Sequence, residues 1–186
     1  MSRSRIGREF FEDLYARFED PWQFADSAHE HDKYAHTLAA LAALDGKRFE
    51  RGLEVGCSIG VLTKQLADLC DQLVGIDVSD RALARSRERL RDQPRVSLAR
   101  MSLPEEMPPG PWDLVVCSEV LYYFDEAAFG LALERLRTAL GDGATVLAVH
   151  WRPATSTYPR STPCRRTARL WSAQPTARTC SRRTSC

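Results

Sequence analysis

From residue 49 onward the chain alternates short apolar runs with amphipathic ones, and this alternation constrains its fold more than any other feature. Residues 49–55, 72–78, 95–99, 112–117 and 144–151 read as strands, the fourth and fifth as fully buried ones. Between them, residues 61–70, 80–91 and 125–140 carry apolar side chains at helical spacing. Leu62, Leu66 and Leu69 mark the first; Phe129, Ala132, Leu133, Leu136 and Leu140 mark the last. Ser79 is placed to cap the second helix and Gly141 to end the third. Strands separated by helices join through right-handed crossovers into a parallel sheet. The expected class is α/β: a doubly wound, mostly parallel, Rossmann-like sheet.

Two helices are expected ahead of that sheet. Ile6, Phe10, Leu14 and Phe18 recur every four residues, and Asp20-Pro21-Trp22 breaks the pattern. A second helix over residues 27–44 places Tyr34, Leu38, Leu41 and Leu44 on one face. Residues 1–46 thus read as a helical cap and 47–151 as the core domain. Residues 152–186 break the grammar: they carry 8 Arg, 12 Ser+Thr and no acidic residue, and Leu170 is their one aliphatic branched side chain. Such a tail buries too little to offset its ordering entropy, so disorder is expected.

With 44% hydrophobic and 27% charged residues, the 186-residue chain is ordinary for a soluble globular protein. No apolar run is long enough for a membrane span, and residues 1–20 lack the apolar stretch of a signal peptide, so a cytoplasmic location is expected. Cys57, Cys70 and Cys117 lie in or beside apolar stretches and read as buried thiols. Cys164, Cys180 and Cys186 fall in the tail, and no C-x-x-C pair suggests zinc. His29, His31 and His36 do not share one helix face, so no metal is expected. The arginines of the tail lack the aromatic interleaving of a nucleic-acid binder.

The stretch that carries chemistry is Leu53-Glu54-Val55-Gly56-Cys57-Ser58-Ile59-Gly60, between the first strand and a helix. Glycines allow a sharp turn and close ligand approach, and a helix start offers free N–H groups. Asp77, ending the next strand, is placed to accept from ribose hydroxyls. As a dinucleotide fingerprint the stretch fails, because Ser58 and Val61 stand where glycines belong. As a nucleophile elbow, Gly56-Cys57-Ser58-Ile59-Gly60 matches with His150 downstream, but it follows the first strand rather than a mid-sheet one. The remaining pattern, an acid followed by spaced glycines with a second acid ending the next strand, fits Glu54, Gly56, Ser58, Gly60 and Asp77. A ligand-free turn is the plain alternative.

The glycine motif with Asp77 resembles class I S-adenosylmethionine-dependent methyltransferases. Asp20-Pro21-Trp22, LEVGCSIGVLT at 53–63, GIDVS at 75–79, WDLVVCSEVLYYF at 112–124 and HWRP at 150–153 together resemble the nodulation protein S (NodS) family over about residues 8–159. The resemblance implies an N-methyltransferase acting on the free amino sugar of a deacetylated chito-oligosaccharide in Nod-factor synthesis. A small-molecule acceptor of another kind, and an inactive cofactor-binding fragment, are the alternatives. It implies S-adenosyl-L-methionine as cofactor and no metal. Glu54, Gly56 and Gly60 would line its methionine part, Cys57 and Ser58 would join the cofactor site, Asp77 would hold its ribose, and Val78 and Met101 would lie by its adenine. The acid that often contacts the adenine amine is missing from Ala99-Arg100-Met101. Ser118, Glu119 and Val120 would stand near the transferred methyl.

An attacking amine must be neutral, so a base is needed. Glu119 and His150 end neighbouring strands and are the base candidates; a capping or hydrogen-bonding role suits either equally. Tyr122, Tyr123 and Trp151 are candidates to stack on sugar rings, and Arg152 to hold an anionic group. Residues 3–44 are expected to form a lid touching the cofactor through Trp22 or Tyr34, and Glu105-Glu106 to be a solvated pair. Beyond Pro159 the composition resembles GC-rich DNA translated in a shifted frame, which leads us to expect a truncated sheet with an exposed fifth strand.

Overall fold

The computed structural model describes residues 5–44, 48–150 and 167–172. Five strands run parallel: β1 (Phe49–Val55), β2 (Cys70–Asp77), β3 (Val96–Arg100), β4 (Trp112–Ser118) and β5 (Leu140–His150). β6 (Thr167–Ser172) joins antiparallel to β5, and the sheet order is β3-β2-β1-β4-β5-β6. The helices are α1 (Arg8–Arg17), α2 (Ala28–Ala42), α3 (Val61–Leu66), α4 (Asp80–Arg89) and α5 (Glu126–Ala139).

β4 shows how the sequence makes two layers. Its side chains alternate, Leu114 and Val116 packing with α2 and α3 through Tyr34, Leu41, Leu62 and Leu66. Val115 and Cys117 pack on the opposite face with Ala132 and Leu136 of α5. A strand covered on both faces needs a continuous apolar run, which Leu114–Cys117 supplies. Cys57, Cys70 and Cys117 are buried free thiols, and burial pushes the Cys117 thiol up to about 12. The caps follow side-chain chemistry: the Ala82 N–H donates to the Ser79 hydroxyl at 3.1 Å, and the Ala128 N–H donates to Asp125 at 2.9 Å.

Four expectations need correction. The buried face of α1 holds Phe11 and Tyr15, while Phe10 and Phe18 are 44% and 56% exposed. Residues four apart drift by about 40° per step around a helix, so a repeat of four leaves any one face within a few turns. Leu133 of α5 points outward, 44% exposed, leaving Ala132 and Leu136 as the buried pair. Gly141 is no helix cap: α5 ends on an extended Leu140 and runs straight into β5, where Gly141 is a strand residue. Finally, residues 167–172 are a strand, from Thr145↔Ser172 to His150↔Thr167, so β5 has a partner on each side along that span. Ladder pairing uses backbone groups, so an extended segment can close an edge without an apolar pattern of its own. The rest of the expected tail lies outside the described residues.

The order of strands reverses beside β1, whose neighbours are β2 and β4. In an open α/β sheet that reversal opens a crevice at the strands' carboxyl ends. The Glu54–Gly60 turn, Asp77 and Ser118–Glu119 all lie at those ends.

Candidate active site

A cavity of about 380 Å³ occupies this crevice, large enough for a small ligand. Its floor is the turn after β1. Gly56 has φ 76° and Gly60 φ 79°, a left-handed backbone that glycine adopts freely. A Cβ on Gly56 would meet Val120 at 3.1 Å, and one on Gly60 would meet the Ser86 hydroxyl at 2.5 Å. Ser58 between them also has positive φ, 50°, and is held by its N–H donating to the Asp77 carboxylate at 2.9 Å. The other Asp77 oxygen accepts from the Ser79 N–H at 2.9 Å. One acid thus ties the β1 turn to the start of α4. Burial raises its pKa, and the backbone N–H groups of Ser79 and Ser58 draw it back in part.

Glu54 is 2% exposed, and its Oε2 has no hydrogen-bond partner. Burial lifts its carboxyl to about 7, against a lowering by the Thr63 hydroxyl and a raising by Asp77. A buried acid with an open oxygen on a cavity wall is arranged to meet a cation or a donor from a ligand.

The N-terminal helices close the cavity from above. Phe11, Tyr15, Trp22, Phe24 and Tyr34 all line it, and these include the two residues expected to carry a lid. Phe11 meets Tyr123 edge-on at 4.9 Å between ring centroids, and Tyr15 meets Trp22 at 5.8 Å. The Tyr15 and Ser58 hydroxyls bond to each other, and burial raises the Tyr15 phenol far above its ordinary range. Arg85 of α4 anchors the end of α1 by donating to the carbonyls of Tyr15, Phe18 and Glu19 at 3.1, 3.0 and 2.9 Å. Arg5 donates to Leu103 O at 2.8 Å and to Ser102 Oγ at 2.9 Å. It also donates to Glu105, so Glu105 is engaged rather than merely solvated, and the Arg5 bond lowers its pKa. Glu106 accepts from the Ser102 N–H at 3.1 Å.

Glu119 follows β4 with φ 58°, a strained conformation for a non-glycine residue. Its N–H donates to Val149 O at 2.9 Å, and Lys33 Nζ stands 3.8 Å from its Oε1. Lys33 also pairs with Glu30 at 2.5 Å.

Of the residues singled out from sequence, Glu54, Gly56, Cys57, Ser58, Asp77, Val78, Met101, Ser118, Glu119, Tyr122 and Tyr123 line this one cavity. Gly60 shapes the turn from beneath, against Ser86 and Leu90, without lining the cavity. His150 ends β5 outside the lining, its ring 6.0 Å from that of Tyr122. Trp151 and Arg152 lie outside the described residues. β1 does lie mid-sheet, so strand position does not exclude the hydrolase reading of Ser58; it finds no support because the hydroxyl is engaged by a phenol and the N–H by Asp77. Among the described residues no group of three His, Cys, Asp or Glu side chains could hold a metal ion, and no helix is long and apolar enough to cross a membrane. Sequence reasoning missed Arg5, Phe11, Tyr15, Glu30 and Lys33. In the sequence Glu30 and Lys33 stand three apart on a helix, and no local signal separates such a pair from a solvated one.

This sheet order, with the glycine turn after β1 and an acid ending β2, is the architecture of class I methyltransferases. A family model for nodulation protein S matches residues 10–176, further along the chain than the motifs alone suggested. The chain belongs to the nodulation protein S family. It is 32% identical over 130 residues to nodulation protein S of Sinorhizobium fredii, covering 70% of this chain and 56% of that protein. It is 33% identical to the Bradyrhizobium diazoefficiens protein, covering 69% and 61%. The chain therefore spans little more than half the length of these relatives. Its fold superposes on the N-methyltransferase NodS of Bradyrhizobium japonicum, solved with S-adenosyl-L-homocysteine. That match has TM-score 0.71 and 29% identity, over 78% of this chain and 73% of that one.

Proposed function

We propose that the chain is an S-adenosylmethionine-dependent N-methyltransferase whose acceptor is the free amine of a deacetylated chito-oligosaccharide. The observation that carries the cofactor is the buried Glu54 oxygen without a partner, beside a left-handed glycine turn tied to Asp77. The residues present fit that group. Glu54 suits the ammonium of its methionine part, and the left-handed Gly56 turns the backbone along the cavity wall beside it. Asp77, half-buried at the cavity, keeps lone pairs for ribose hydroxyls beyond its two backbone bonds. Val78 and Met101 offer apolar walls for the adenine in place of the missing acid. The kind of acceptor rests on family membership.

When bound, the cofactor supplies a methyl group on a sulfonium, which leaves as a neutral thioether and needs no acid. The work left to the protein is alignment, exclusion of water and removal of one proton. The aromatic cap of Phe11, Tyr15, Trp22 and Phe24 excludes water. Glu119 is the base: its carboxylate would take the proton that the acceptor amine gives up as it is methylated. Tyr122 and Tyr123 line the cavity and are the candidates to contact a sugar ring. His150 remains a second base candidate through its place beside Tyr122.

Transfer of a labelled methyl from S-adenosylmethionine to mono-deacetylated chitotetraose tests this. The proposal expects a labelled product with this acceptor, none with fully acetylated chitotetraose, and a rate lowered about 100-fold or more in Glu119→Gln. Equal labelling of both oligosaccharides would contradict the amine acceptor, and a full rate in Glu119→Gln would contradict the base.

A further inference from the structure

Glu119 stands just past the end of β4, and a charged pair from α2 reaches it there. Lys33 places its ammonium 2.5 Å from Glu30 and 3.8 Å from Glu119, with all three side chains 12–13% exposed. The same nitrogen lies 5.8 Å from the Phe24 ring centroid and 5.5 Å from that of Tyr34. An ion pair this sheltered is screened little by solvent, so its geometry has consequences that a surface pair lacks. All five residues line the cavity.

We propose that Lys33, held by Glu30, is the positioning residue of Glu119: its ammonium keeps the Glu119 carboxylate ionised and fixed at the acceptor side of the cavity. The inference rests on the reading of Glu119 as base. Glu30 limits the effect. It shares the ammonium, so Glu119 keeps basicity that an undivided pair would remove. The arrangement also couples the cap to the chemistry, because Lys33 reaches the β4 end only while α2 is docked.

The test is a carbon-13 NMR titration of glutamate side-chain carboxyls in the whole chain saturated with S-adenosylhomocysteine. Glu119→Gln assigns the resonance. Lys33→Met should raise the Glu119 pKa by about one unit or more, and Lys33→Arg should restore most of it. Glu30→Gln should move it the opposite way, since removing a neighbouring negative charge and freeing the ammonium both favour the carboxylate. The other titratable groups of the site are unchanged in these variants: Arg5 before α1, Arg8 and Tyr15 from α1, His29 and Tyr34 from α2, Glu54 from β1, Cys57 after it, Asp77 from β2, and Tyr122 and Tyr123 after β4, with His150 against Tyr122. A merely structural role for Lys33 would give no shifts of opposite sign. If Lys33→Met fails to fold, the Glu30→Gln shift alone decides, and an unmoved Glu119 in either variant overturns the proposal. A full methyl-transfer rate in Glu119→Gln would instead overturn the base reading, which separates the two failures.

Discussion

At the scale of single residues, the site is built from groups held in states that cost stability. Glu54 shows this most plainly. Its carboxyl titrates near 4.5 in an unfolded chain and at about 7 in the fold, because burial penalises the charge. A pKa raised on folding means that the folded state binds the proton more tightly, so stability falls as pH rises from about 4.5 through 7. The full swing is on the order of 3 kcal/mol. Glu54→Gln should therefore match the parent at pH 4.5 and exceed it by a few kcal/mol at pH 8 in urea unfolding. An unchanged difference across that range would contradict the account. Glu54 and Asp77 were legible in the sequence because the spacing of acids and glycines is local. The raised pKa was not, since burial is a property of everything packed around the turn.

At the scale of elements, the sheet was readable and the cap only partly so. β1 and β4 follow from apolar runs and α4 from its Ser79 cap, because a strand buried on both faces leaves an unmistakable pattern; β3, half-exposed at the sheet's edge, shows only a short one. α1 was located but its face was misread, because a repeat of four drifts off any one face; α1 turns Phe11 and Tyr15 toward the cavity and Ala82 of α4. Arg85 helps to fix the C-terminal end of α1 through three carbonyl contacts that no local pattern announces, while Arg8 and Glu12 bond to Asp80 nearer its start. Arg85→Ala should cost about 1–3 kcal/mol. It should speed hydrogen exchange in α1 while leaving β1 and β4 protected, and weaken S-adenosylhomocysteine binding severalfold by loosening Tyr15. Unaltered exchange in α1 would refute that role.

At the scale of the whole molecule, the cavity exists because the strand order reverses beside β1 and a helical cap lies over the reversal. The class of fold followed from alternation, but the final strand did not. Residues 167–172 have no strand pattern in their sequence, and only the open ladder of β5 explains why they pair there. Adjacent prolines at Arg169 and Leu170 test this, since N–H groups alternate in direction along a strand and one of the two must face β5. The double variant should associate with rising concentration in analytical ultracentrifugation, because β5 becomes an edge. A sedimentation profile identical to that of the parent would show that β6 does not protect it.

The central claim is that the turn after β1, Glu54 and Asp77 form a site for S-adenosylmethionine, and calorimetric titration with S-adenosylhomocysteine tests it most directly. The account predicts saturable one-to-one binding by the parent chain. It also predicts at least a tenfold loss of affinity in an Asp77→Ala variant that keeps the parent's circular dichroism. Equal affinity in both, or no binding by a folded parent chain, would contradict it.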